Sequence, residues 1–184
     1  MRIITGTAKG QRLKVPKRVY VRPATSLVRG AIFSILQNFT KDWSLVLDLF
    51  AGSGALGIEA LSRGAGWADF VDQEAECCAI IQQNLERTGL AAQAHVYCTR
   101  VRKAISFLDK EYSIILIDPP YSDTSIGNVI THLATSKLVG KRSVVVVTHS
   151  PHLALQPVYG MLDLIKERRH GDSCISLYTK EERP

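Results

Sequence analysis

Val46-Leu47-Asp48-Leu49-Phe50-Ala51-Gly52-Ser53-Gly54-Ala55-Leu56-Gly57-Ile58-Glu59-Ala60-Leu61 decides the fold. An apolar strand runs into a Gly-x-Gly-x-x-Gly turn, and a helix-forming run follows. Glycines here permit a tight turn, let backbone N–H groups approach a ligand with no Cβ in the way, and allow the helix to pack close to the strand. Asp72 ends the next short run, Ala68-Asp69-Phe70-Val71. It falls at about the 20-residue spacing at which dinucleotide folds place the acid that bonds ribose hydroxyls. With strand, helix and acid in register, a nucleotide-cofactor loop is a better reading than three packing glycines.

Outward from this unit the pattern repeats. Strands are expected near residues 45–49, 67–71, 94–97, 113–117 and 143–148, alternating with helices near 55–63, 73–88, 100–108 and 125–136. Continuous apolar strands of this kind imply a parallel sheet covered on both faces. Leu162–Lys166 and Cys174–Tyr178 follow with no helix between them, which suits an antiparallel pair closing a sheet of seven strands. The fold class is therefore α/β and Rossmann-like, mostly parallel, with an antiparallel last strand. In such sheets the ligand lies outside the carboxyl ends of the strands, near the point where strand order reverses.

Asp118-Pro119-Pro120-Tyr121 stands at one of those ends, directly after Ile114-Ile115-Leu116-Ile117. Two prolines deny the next residues a helix and stiffen the turn, an acceptor carboxylate precedes them and an aromatic ring follows. That set suits the gripping of a flat amino group. The Asp118 carboxylate and the Pro119 carbonyl can accept the two N–H bonds of an exocyclic amine, while Tyr121 stacks on the ring. Nothing in the chain offers a Ser-His-Asp order or a metal cluster, and methyl transfer from S-adenosylmethionine requires neither. It requires in-line approach and electrostatic control of the amine.

The 184 residues suit one domain with an appendage, and a hydrophobic content of 46% is ordinary for a globular protein. No apolar run reaches the roughly 18 residues of a membrane span, and Met1–Gly6 lacks a secretory core, so a cytoplasmic location without membrane partners is expected. Cys77, Cys78, Cys98 and Cys174 include no C-x-x-C pair and are expected as reduced, mostly buried thiols, without disulfide or metal. The net charge of +6 is unevenly distributed. Arg2, Lys9, Arg12, Lys14, Lys17, Arg18, Arg22, Arg29 and Lys41 occupy a stretch with no acid, and the residues after Lys41 carry a net charge of −3. Such a block is the footprint of a polyanion partner. Alternation in Arg2–Gly6 and Gly10–Val15 predicts a small hairpin there, and Thr25 or Ser26 can cap a following helix whose apolar positions are Leu27, Val28, Ala31, Ile32, Ile35 and Leu36. Residues 1–23 are expected as a basic hairpin and linker, and 24–184 as the main domain.

The residues of the glycine loop from Asp48 to Ala65, together with Asp118–Tyr121, resemble the bacterial 16S rRNA (guanine-N2) methyltransferases of the RsmD type. Arg22-Pro23-Ala24-Thr25, Val28-Arg29, Ala31–Leu36 and Gly171-Asp172 are similar to that family's flanking patterns. The resemblance spans almost the whole chain. It implies a class I S-adenosylmethionine-dependent methyltransferase with an N-terminal hairpin, acting on N2 of a guanine in 16S rRNA or the assembling 30S subunit and leaving S-adenosylhomocysteine; a monomer with no obligate protein partner is expected. Carried over by position, Asp48, Phe50, Ala51, Gly52, Ser53, Gly54 and Gly57 would cradle the cofactor and Asp72 its ribose. Asp118, Pro119, Pro120 and Tyr121 would hold the guanine, and Arg2, Lys9, Arg12, Lys14, Lys17, Arg18, Arg22 and Arg29 the RNA.

Other readings remain open at this level. Asp-Pro-Pro-Tyr also occurs in DNA enzymes that methylate adenine N6, but these usually carry a target-recognition domain for which this chain has no room. A nicotinamide-dependent oxidoreductase explains the glycine loop and Asp72 but not the Asp118 turn or the basic arm. A catalytically inert RNA-binding or assembly factor leaves the intact Asp118, Tyr121 and glycine loop unexplained.

Overall fold

The computed structural model describes residues 1–17 and 25–180. Arg18 and Arg22, two of the expected RNA-facing cations, lie outside the described residues. The described residues form five α-helices, a short 3-10 helix at Ala91–Gln93 and eight strands, with helix and strand alternating as far as the fifth strand. Helix α1 spans Ser26–Phe39, and Thr25 caps it, its hydroxyl accepting the Val28 N–H at 3.2 Å. The repeating units then follow as β1 (Leu45–Leu49), α2 (Ala55–Ser62), β2 (Trp67–Asp72), α3 (Ala75–Thr88), β3 (Ala94–Cys98), α4 (Val101–Phe107), β4 (Tyr112–Ile117), α5 (Ile126–Ala134) and β5 (Val139–His149). Three further strands, β6 (Val158–Tyr159), β7 (Leu162–His170) and β8 (Ser173–Lys180), end the fold.

One sheet holds all eight strands in the order β3-β2-β1-β4-β5-β8-β7-β6. β1 to β5 are parallel, whereas β8 pairs antiparallel with β5, β7 with β8 and β6 with β7. The expected count of seven thus becomes eight, because Val158–Tyr159 adds an edge strand of two residues, too short to produce any periodicity. Strand order reverses between β1 and β4, which opens the crevice at their carboxyl ends.

Alternation along the central strands sends side chains into two layers. Val46, Ile114, Leu116, Val144, Val146, Ile175 and Leu177 meet residues of α1, α2 and α3, whereas Leu47, Leu49, Ile115, Ile117, Val145 and Val147 meet α4 and α5. Both faces being covered explains why these strands read as unbroken apolar runs. Within α1, Val28, Ile32, Phe33 and Leu36 form the buried face, while Leu27 stays 70% exposed.

The N-terminal hairpin has one ladder bridge, Arg2 with Arg12, flanked by Ile3 N–H to Gln11 O at 3.0 Å and Leu13 N–H to Met1 O at 3.0 Å. Four of its backbone N–H groups are satisfied by α2. The Ile4 and Thr5 N–H groups donate to the Glu59 carboxylate at 2.8 and 3.0 Å, Thr7 N–H to Ser62 O at 2.8 Å and Ala8 N–H to Ser62 Oγ at 2.9 Å. Ile3, Ala8 and Leu13 enter the same apolar cluster as the strands. On the second arm Asn84, fully buried on α3, accepts from Lys14 N–H at 2.8 Å and donates to Lys14 O at 3.0 Å. Glu59 is also fully buried and takes a third bond from Arg63 Nε at 2.9 Å. Truncating it strands two backbone donors and a guanidinium. Glu59→Ala is expected to lose about 3–5 kcal/mol of stability in urea unfolding. The amides of Ile4 and Thr5 should lose hydrogen-exchange protection before those of β1, and equal protection in both places would contradict this anchoring.

Candidate active site

The loop after β1 is built by backbone conformations that few side chains tolerate. Gly52 and Gly54 take φ of +57° and +75°, and Phe50 takes +60°, the one non-glycine residue with positive φ among the described residues. A bulky residue held there is strained by about 1–3 kcal/mol, and such strain clusters at ligand-binding turns. Nothing in the motif announces it, because Phe50 stands between the expected strand 45–49 and the first glycine of the turn.

Three buried side chains hold the loop. Asp48, 1% exposed, accepts the Gly57 N–H at 2.8 Å and so ties the first turn of α2 to β1. Gly57 is obligatory there, since a Cβ would lie 2.3 Å from Phe70 and 3.1 Å from Asp48 Oδ2. Asp72 accepts Gly52 N–H through Oδ2 at 2.8 Å and Glu74 N–H through Oδ1 at 2.9 Å. Asn84 donates to Ser53 O at 2.9 Å. The loop backbone closes through Ala51 N–H to Val71 O at 3.0 Å and Gly54 N–H to Ala51 O at 2.7 Å. Asp48 therefore supports the loop from beneath, while Asp72 borders it at the end of β2. A Cβ on Gly52 would meet nothing closer than 4.0 Å, so the space over the loop is open to a ligand.

Asp118 follows β4 next to β1, its N–H 3.4 Å from Leu49 O. Its carboxylate accepts the hydroxyl of Thr148, a buried residue on β5. Tyr121 is half-buried, with its hydroxyl donated to Ser173 Oγ at the start of β8. Between them Pro119 is buried, and Asp123 N–H closes the turn onto Pro120 O at 2.8 Å. Thr148 and Ser173 were not visible as site residues in the sequence, because they reach the turn from strands 30 and 52 residues away. His149, the next residue on β5, is buried, with Nε2 2.8 Å from Ser176 Oγ and 3.7 Å from the Glu167 carboxylate. The glycine loop, Asp72 and Asp118 thus stand at the ends of three adjacent strands, as the alternating pattern led one to expect.

Of the cations on the first 41 residues, Arg2, Lys9, Arg12, Lys14 and Lys17 are exposed. Arg29 is a correction. It is 1% exposed, donates through Nη2 to Arg2 O at 2.9 Å and lies 3.9 Å from Glu59, so it faces inward rather than toward solvent. Burial pushes its pKa down, and Glu59 opposes the shift. The cysteines also divide: Cys77 and Cys174 are buried, Cys78 is half-buried and Cys98 is exposed. Burial pushes the Cys78 thiol up to about 12, with Cys98 and Asp72 adding to the shift. Among the described residues no helix is long and apolar enough to cross a membrane.

A doubly wound sheet with this loop, this acid and this turn at neighbouring strand ends has the Rossmann-like fold of methyltransferases. The chain belongs to the RsmD family: the model for "Conserved hypothetical protein 95" matches residues 1–179. It is 30% identical to "Ribosomal RNA small subunit methyltransferase D" of Escherichia coli strain K12, over 98% of this chain and 90% of that one. It is 31% identical to YlbH of Bacillus subtilis over 98% and 99% of the two chains. The solved structure of Escherichia coli yhhF superposes with a TM-score of 0.86 at 30% identity, covering 100% of this chain and 99% of that one.

Burial holds the Asp48 carboxyl well above the usual carboxylate range; the Gly57 N–H opposes this, and Asp118 and Asp72 add to it. A raised pKa in the folded state means that the stabilisation is complete below the unfolded value of about 3.9 and is lost as pH rises through the folded value. Asn at this position keeps an acceptor oxygen and does not titrate. The stability of Asp48→Asn relative to the wild type should therefore increase with pH from about 4 upward. A pH series of urea unfolding curves checks this, and parallel profiles would refute it.

Proposed function

We propose that this protein transfers a methyl group from S-adenosylmethionine to the exocyclic N2 of a guanine in 16S rRNA, within the assembling small ribosomal subunit. The observation that carries the reading is the Asp118–Tyr121 turn keyed to Thr148 and Ser173 beside the glycine loop. The name of the Escherichia coli relative supports the rRNA part. When bound, S-adenosylmethionine supplies a methyl group on a sulfonium, already an excellent leaving group. The chain has to orient the acceptor.

An exocyclic amine is a poor nucleophile because its lone pair is delocalised into the ring. The Asp118 carboxylate and the Pro119 carbonyl accept its two N–H bonds, draw the nitrogen toward tetrahedral geometry and aim the lone pair along the transfer line. Thr148 fixes the rotamer of Asp118, and Ser173 fixes the plane of the Tyr121 ring. Stacking on that ring offsets part of the few kcal/mol required to extrude a base. Asp72 would take the ribose hydroxyls of the cofactor, and the open face above Gly52 would take its methionine end. As the N–C bond forms and the S–C bond breaks, the amine sheds one proton toward Asp118 or the adjoining solvent. The exposed cations of the N-terminal hairpin, Arg2, Lys9, Arg12, Lys14 and Lys17, meet RNA phosphates, and the hairpin is the RNA-binding appendage of a methyltransferase domain.

With labelled S-adenosylmethionine, the label is expected in 16S rRNA as N2-methylguanosine on nucleoside mass spectrometry. Label in another nucleoside would overturn the guanine assignment. Asp118→Ala should lower the transfer rate by about 10²-fold or more with cofactor and RNA affinity nearly unchanged. Neutralising Lys9, Arg12 and Lys14 together should flatten the plot of log affinity against log salt by about 0.7 for each phosphate no longer neutralised. An unchanged slope would remove the hairpin from the RNA interface.

A further inference from the structure

The turn between β7 and β8 presents a second group of cations at the site end of the sheet. β7 runs parallel to β5, so its last residues stand level with the strand ends that carry Asp118 and Asp72; His149 at the end of β5 is registered with Cys174. His170 pairs with Ser173, leaving Gly171 and Asp172 as a two-residue connection. Gly171 has φ +62°, as the first central position of a tight hairpin turn of this kind requires. The turn is therefore short and firmly held. It also touches the candidate site directly, because Ser173 receives the hydroxyl of Tyr121.

Strand alternation shows which way these cations face. Lys166, Arg168 and His170 are registered with Leu177, Ile175 and Ser173. Ile175 and Leu177 belong to the apolar cluster that includes Ile3, Ala8 and Leu13 of the N-terminal hairpin. Lys166 confirms the face, since its ammonium lies 5.2 Å from the ring of Phe39 on α1. Arg168 thus stands on the same side of the sheet as the hairpin, and it is exposed. Arg169 is exposed as well, folded over the turn by its Nε–H bond to Gly171 O at 3.0 Å. Glu167 points to the other face, where Ser176 donates to it at 2.8 Å and where the register with Cys174 also starts the Arg169 side chain; Arg168, on the hairpin face, is registered with Ile175 and not with an acid, and Asp172 is a single carboxylate at the tip.

We propose that Arg168, from the hairpin face, and Arg169, folded back over the tip of the turn, hold the backbone phosphates next to the target base, so that the RNA is gripped on both sides of Tyr121, by the N-terminal hairpin and by the β7–β8 turn. The inference rests on the proposed RNA substrate. A guanidinium suits the task because its planar fork matches two phosphate oxygens, and a nucleotide extruded onto Tyr121 brings its flanking phosphates toward the element that anchors that ring. The excess positive charge of the first 41 residues, which the sequence made conspicuous, is then one half of the interface.

The test is the double charge reversal Arg168→Glu/Arg169→Glu in the full chain, with binding to 16S rRNA and to 30S particles measured across a salt series. Affinity is expected to fall at least tenfold, with a salt slope lower by about 0.7 for each phosphate that the variant no longer neutralises, while the melting temperature and its rise with added S-adenosylmethionine stay as in the wild type. Wild-type affinity and slope in the double variant overturn the proposal, as does a loss of methyl transfer with RNA affinity unchanged. Arg168→Lys/Arg169→Lys should recover most of the slope but not all of the affinity. A wild-type protein that binds rRNA without methylating it refutes the proposed function and leaves this binding result to be judged on its own.

Discussion

The bond between the Gly57 N–H and the buried Asp48 carboxylate holds α2 against β1, and the geometry of the site follows from that approach. Its 2.8 Å length is possible only because residue 57 has no Cβ to meet Phe70. With α2 so close, the chain must turn back within Phe50–Gly54, which places Phe50 in the left-handed region and leaves space above Gly52. Asp72 then fastens the same turn from β2. The glycine loop is thus the forced outcome of a close helix–strand contact, with two carboxylates taking N–H groups that would otherwise be buried without partners.

The Asp118–Tyr121 turn has a different origin. Pro119 and Pro120 stiffen a turn whose side chains are oriented from a distance, by Thr148 on β5 and Ser173 on β8. The antiparallel strands that close the sheet therefore do more than cover an edge. They bring β8, the last strand of the fold, into contact with a turn more than 50 residues earlier. An aromatic ring tethered at its hydroxyl has little further freedom to lose, which is what preorganisation means in physical terms.

Elements that announce themselves locally were legible in the sequence. Strands buried on both faces appear as apolar runs, the glycine loop and the proline turn have few alternative explanations, and Asp72 falls at a distance set by one β-α-β unit. What was hidden depends on contacts across space. Arg29 reads as one more cation in a basic stretch, yet its place on the inner face of α1 buries it against Arg2 O and Glu59. Glu59 and Asn84 carry no local mark of their role, although both are fully buried and anchor the hairpin. Val158–Tyr159 is strand only because β7 lies beside it. In each case a residue's polarity was clear, and its partner, supplied by the tertiary fold, was not.

Asn84 has one further consequence. Its side-chain amide grasps Lys14 on the hairpin through both its oxygen and its nitrogen, and the same nitrogen grasps Ser53 O on the glycine loop. Lifting the hairpin away would leave a buried amide unsatisfied on the very residue that steadies the loop. The two regions are therefore thermodynamically linked through one side chain: whatever stabilises the docked hairpin also favours the closed loop, and by reciprocity a ligand that orders the loop tightens the hairpin.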